Sequence, residues 1–168
     1  MDIISHALWT NVAYLKMQRR TRIWAVLFGI LPDIVSFGPF FVEEIAFHTV
    51  RGTITQFSAA GVRYITTAYN LTHSLVLFAA VVGIVWLVWR KPYLPLAGWG
   101  LHIVIDIFSH SRAFFPTPFL YPISNYTVDA ISWTYPYFLL PNFAVLAAVY
   151  LLIYLLHVRR RVAGIDKM

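Results

Sequence analysis

Apolar residues run along this chain in long blocks separated by short basic clusters, and the blocks are too long for strands. Residues 3–15, IISHALWTNVAYL, form the first block, with His6, Thr10 and Asn11 interspersed and Lys16, Arg19, Arg20 and Arg22 behind it. Residues 23–42, IWAVLFGILPDIVSFGPFFV, carry Asp33 as their only charge, after Pro32 and before Gly38-Pro39. A proline in a membrane helix frees backbone groups, which are tolerated where they line a cavity, so Asp33 is expected at a helix break facing the interior. Residues 43–72 hold Glu43, Glu44, His48, Arg51 and Arg63. Within them Phe57, Ala60, Tyr64, Ile65, Ala68 and Tyr69 recur at roughly helical spacing and predict an interfacial helix over 56–69. Thr72-His73-Ser74 then opens LVLFAAVVGIVWLVW, which Arg90-Lys91 closes. A proline-containing turn leads into a helix over 102–110. Residues 113–136 are aromatic and proline-rich with one charge, Asp129, and read as an ordered cap near a membrane face. The last run, YFLLPNFAVLAAVYLLIYLL, ends at His157 and Arg159-Arg160-Arg161.

Composition sharpens this picture. The chain has 168 residues, 60% of them hydrophobic and only 12% charged. That lies outside the soluble norm and points to one all-α polytopic membrane helix bundle over 1–168. With no cysteine, thiolate metal sites and disulfides are excluded. The net charge of +6 sits in clusters beside apolar segments, the signature of cytoplasmic loops rather than of nucleic-acid binding. Placing 16–22, 90–91 and 159–161 in the cytoplasm gives five membrane-inserted helices, with the N-terminus outside and the C-terminus cytoplasmic. The alternative keeps the first segment as an interfacial helix and leaves four. No cleavable signal peptide is expected, because Met-Asp precedes the first apolar stretch without a basic region.

The candidate chemistry centres on HIVIDIFSH, residues 102–110. His102, Asp106 and His110 recur every four residues, and each such step turns a helix by about 40°, so all three share one stripe. Ionisable groups in a membrane helix are costly to desolvate and are by default a functional hypothesis. An i,i+4 pair can chelate one ion, whereas His102 and His110 are about 12 Å apart along the axis. Asp106 is thus the natural bridging carboxylate of a two-metal site. The plainer alternative is a polar face lining a water-filled crevice. At about 1.5 Å per residue from the inner basic anchors, His6, Asp33, His73, His102, Asp106 and His110 all fall between mid-membrane and the outer edge. Two carboxylates at one depth would repel unless cations lie between them.

These residues resemble those of the predicted inner-membrane metal-dependent hydrolases, over most of the chain. The resemblance rests on Ser5-His6-Ala7, Leu31-Pro32-Asp33, Thr72-His73-Ser74, the H-x-x-x-D pair His102/Asp106, and the segment from Pro116-Thr117-Pro118 to Pro122. It implies a bacterial inner-membrane location and a metal set of His6, Asp33, His73, His102 and Asp106, with His110 departing from many relatives. The pattern is more loosely similar to zinc-dependent phospholipase C, whose H-x-x-x-E helix has no obvious counterpart here; Asp129 or Glu44 are the substitutes on offer.

His/Asp ligation without sulfur suits one or two divalent ions, Zn²⁺ first, with Mn²⁺ or Fe²⁺ as alternatives. The reading is a membrane-embedded metal-dependent hydrolase of a phosphoester in a lipid or lipid-linked substrate, with Asp106 and Asp33 catalytic. Arg112 either neutralises a substrate phosphate or snorkels to the interface. Glu44 and His48 form an i,i+4 pair better read as solvated. Intramembrane His and Asp also build proton or metal transport pathways, and a non-catalytic protein with a polar core would bind no metal.

Overall fold

The computed structural model describes residues 1–51 and 59–162; for 43, 44, 46–51, 59 and 60 only the backbone is described. Glu43, Glu44 and His48 therefore lie outside the described side chains. Among the described residues the chain is all-helical: α1 (Ile3–Ala13), α2 (Arg19–Arg51), α3 (Ala59–Thr72), α4 (Leu75–Trp89), a 3₁₀ turn (Leu94–Leu96), α5 (Ala97–Ser109) and α6 (Pro136–Val162). Two units are distinguishable: Met1–Ser132 holds α1 to α5, and Trp133–Met168 holds α6.

Two helical segments, Arg19–Val42 and Pro136–Val162, are long and apolar enough to cross a membrane, as expected of a membrane protein. Gly61–Thr72 and Leu75–Trp89 make a third if counted as one span bent by 58°. At 11 residues α1 is too short to span, and so is α5 at 13. Among the described residues length and composition thus support two or three full spans, and the four or five inserted helices expected from the basic clusters would include the shorter α1 and α5.

In the first unit α2 is the central element, packed against α1, α3, the 3₁₀ turn and α5. It does not break at Pro32 as expected but runs through both Pro32 and Pro39. Pro32 removes one N–H from the ladder, and Ser36 Oγ donates to its carbonyl at 2.7 Å. The break falls one helix later, at His73-Ser74. Ser74 caps α4, accepting from the Leu77 N–H at 3.1 Å, while its hydroxyl donates to the Tyr121 carbonyl. Leu75 N donates to Phe119 O at 2.9 Å. The 113–136 region, expected as a cap, is non-helical as far as its last residue, Pro136, which opens α6, and its 119–121 part holds this bend. The expected interfacial helix over 56–69 is present only as α3, since 56–58 lie outside the described residues.

α2 and α5 approach until backbone meets backbone. A Cβ at Gly98 would collide with the Ala25 carbonyl oxygen. Only glycine permits that distance, which brings the His102 stripe of α5 onto Asp33 of α2.

Candidate metal centre

Asp33, His73, His102 and Asp106 each offer one ligand atom, and these four atoms all lie within 4.8 Å of one another. They come from α2, the α3/α4 break and α5. His73, His102 and Asp106 are sealed from solvent, whereas Asp33 keeps 14% of its side chain exposed.

The hydrogen-bond partners assign the histidine tautomers. His102 Nδ1 faces the Gly29 carbonyl at 2.7 Å, an acceptor, and so carries the proton. His73 Nδ1 faces the Tyr69 carbonyl at 3.1 Å and Thr72 Oγ1 at 3.0 Å. The Thr72 hydroxyl already donates to Ala68 O at 2.8 Å, so His73 Nδ1 is again the donor. Neutral imidazoles so arranged turn bare Nε2 lone pairs inward, and these two Nε2 atoms lie 3.0 Å apart. Asp106 Oδ2 is 3.3 Å from each, and Asp33 Oδ1 is 3.7 Å from each. Asp106 Oδ2 is buried without any hydrogen-bond donor. Four electron-pair donors this close are mutually repulsive until a cation joins them. Donors about 2.0–2.1 Å from a tetrahedral zinc lie about 3.3–3.4 Å from one another, a spacing these separations bracket. The anchoring of each ligand histidine through its other nitrogen to a carbonyl is the usual support of a metal site.

His6 and His110 sit on the other side of Asp106. His6 Nε2 is 2.9 Å from Oδ1, and His110 Nε2 is 3.5 Å from it. The Met1 amino group ion-pairs with the same oxygen and lies 2.8 Å from His110 Nε2. His110 is not on the helix as expected: α5 ends at Ser109, and His110 has extended backbone. Its Nδ1 donates to Phe115 O at 2.6 Å, and the positive φ of 45° at Phe115 belongs to the turn that presents this carbonyl. His6 stacks on His102 with ring centroids 3.7 Å apart, and its Nδ1 has no partner. It therefore reaches the centre only by donating to Asp106. The six residues that the sequence placed at one depth lie together, as an inner four and an outer two.

His6→Ala is accordingly expected to keep the metal with affinity weakened about 10–100-fold, as for other outer-shell partners. His102→Ala should lose far more. Competition against a zinc chelator measures both; equal losses would make His6 a ligand.

Arg112 is exposed and bonds to the 127–129 segment. Its guanidinium reaches Thr127 O at 3.4 Å, and its backbone N–H donates to Asp129 Oδ1 at 2.8 Å. Asp129 thus ties loops together and supplies no ligand. Tyr69, read from sequence only as an apolar helical position, stacks on His73 at 3.8 Å and offers its hydroxyl to Phe115 O at 3.0 Å. Its place one helical turn before His73 was the available signal. The supporting carbonyls of Gly29 and Phe115 have no signal in side-chain identity. No protein-family model matches the chain, and no curated protein or solved structure shows significant similarity to it.

Proposed function

We propose that this protein is a membrane-embedded, metal-dependent hydrolase, of the kind its short motifs resemble. Its cation would be held by Asp33, His73, His102 and Asp106. The observation that carries this is the tetrad itself, two inward Nε2 atoms and two carboxylates whose ligand atoms lie within 4.8 Å of one another. Two nitrogen and two oxygen donors suit Zn²⁺, with Mn²⁺ or Fe²⁺ next, and argue against Ca²⁺ or Mg²⁺, which favour all-oxygen shells. A divalent ion held there supplies Lewis acidity for attack by water on a phosphoester.

The chain's own residues divide the work. Gly29 and Tyr69 carbonyls orient the imidazoles. His6 holds Asp106. Asp33, the farthest of the four donors and the partly exposed one, would be the weakest ligand and the side left for water or a substrate oxygen, since a catalytic zinc keeps one position free of protein ligands. α1 and α5 are then short inserted helices packed on α2, and the basic clusters put the C-terminus in the cytoplasm. A lipid or lipid-linked phosphoester is the substrate class suited to a centre among apolar helices. A second ion is the further reading: Asp106 shows Oδ2 to the tetrad and Oδ1 to His6 and His110, but the Met1 amino group already neutralises the Oδ1 side.

Elemental analysis of purified protein combined with a phosphodiesterase assay tests this. Bound transition metal with metal-dependent phosphoester cleavage is the expected result. Bound metal without cleavage, but with metal uptake into vesicles, would favour a carrier. Metal-free protein would leave a structural polar core.

A further inference from the structure

Two basic stretches at one end of the first unit take no part in the chemistry above. Lys16, Arg19, Arg20 and Arg22 lie where α1 gives way to α2, and Arg90-Lys91 follow α4. The Tyr14 hydroxyl donates to Leu94 O at 2.8 Å. The Tyr93 ring lies with its centroid 6.1 Å from that of Phe28 and 5.2 Å from that of Trp89. These contacts tie the start of α2 to the end of α4, so the two stretches share one surface. All of these cations but Arg22 are exposed. Among the described residues none of them makes an ion pair. No acidic residue lies between Asp2 and Asp33 or between Glu44 and Asp106. Asp33 itself is about 16 Å beyond Arg22 along α2, about twice the Debye length at physiological salt. Helix stability does not account for the charges either. α2 carries its three arginines in the first turn, where the helix dipole disfavours cations, and no acidic residue offsets them there. Arg90 caps α4 in the left-handed conformation, at φ 53°, where glycine is usual. Sidedness in a membrane needs the charges on one face only and does not need the two stretches joined.

We propose that the two stretches form one surface that binds the phosphate of an anionic phospholipid headgroup. The occupant follows from charge and level. The cations find no counter-charge among the described residues, and basic clusters of this size beside a membrane helix attract anionic lipid. Trp24 and Trp89 are exposed within two residues of Arg22 and Arg90, and such rings sit at the level of the headgroups. The surface would bind lipid whether or not the tetrad holds a metal.

The test is native mass spectrometry of the purified protein in non-ionic detergent. Phosphatidylglycerol and phosphatidylcholine of equal chain length are added side by side. Phosphatidylglycerol should bind preferentially. Arg19→Gln with Arg20→Gln, and separately Arg90→Gln with Lys91→Gln, should each weaken it about 25-fold, or about fivefold per cation, with phosphatidylcholine unchanged. Equal binding of the two lipids, or a preference that survives either pair of substitutions, overturns the shared surface. Displacement of phosphatidylglycerol by glycerol phosphate at equal concentration would assign the surface to a soluble phosphate and overturn the lipid as its occupant. Should the variants fail to fold, phosphatidylglycerol with a photoreactive headgroup is applied to the wild-type protein. Labelling of residues 14–24 and 89–94 supports the surface, and labelling confined elsewhere overturns it.

Discussion

Asp106→Ala should leave the purified protein with background metal, an affinity loss greater than the roughly 10–100-fold typical of outer-shell changes. Asp106 is the residue that all four histidines of the cluster approach. Its Oδ2 lies 3.3 Å from both inward histidine nitrogens, and its Oδ1 takes His6, His110 and the Met1 amino group. Removing it deletes a ligand, strips the tetrad of one of its two negative charges and leaves a buried ammonium and the His6 Nε2 without their acceptor. A buried charge stripped of its partner costs about 3–5 kcal/mol, so some loss of stability should accompany the loss of metal. His110→Ala removes a neighbour of Oδ1 only and should keep most of the metal. Mass-spectrometric metal analysis after dialysis against buffered zinc reads both variants, and equal metal content in wild type and Asp106→Ala would end the case for a centre at this carboxylate.

The second large effect is expected from a residue with no chemistry at all. Gly98→Ala should destabilise the protein by about 3 kcal/mol or more, at the upper end of overpacking costs, and reduce metal binding with it. The new methyl group would meet the Ala25 carbonyl, and a backbone oxygen on a packed helix cannot rotate aside as a side chain can. α5 must then retreat from α2. Retreat stretches the 2.7 Å bond from His102 Nδ1 to Gly29 O, so the imidazole loses its anchor and its distance to Asp33 at once. Thermal unfolding in detergent together with metal content measures this. An unaltered midpoint would mean that the helices are not held at the described separation. Gly83→Ala is the control, because nothing lies within 4 Å of a Cβ placed there.

What the sequence alone determined follows from local pattern. Apolar blocks of helical length bounded by arginines and lysines dictate helices in a membrane, because no other open structure satisfies the backbone there. The unusual cost of Asp33, Asp106 and the histidines within such blocks marked them as candidate chemistry before any packing was known. Periodicity also put His102 and Asp106 on one face.

Tertiary structure decided how these residues divide. α2 runs on through Pro32, and the bend at His73-Ser74 depends on long-range partners at Phe119 and Tyr121. Helical spacing extended the stripe to His110, but the helix stops at Ser109, and a turn carrying the Phe115 carbonyl brings the ring back to Asp106. Which histidine nitrogens face the centre was set by the carbonyls of Gly29 and Tyr69, groups that every residue carries and no sequence pattern distinguishes. The physical reason is the same in each case. Periodicity records which face of its own helix a residue occupies, whereas ligand geometry is set by the distance between helices, and here the missing side chain of Gly98 allows that distance.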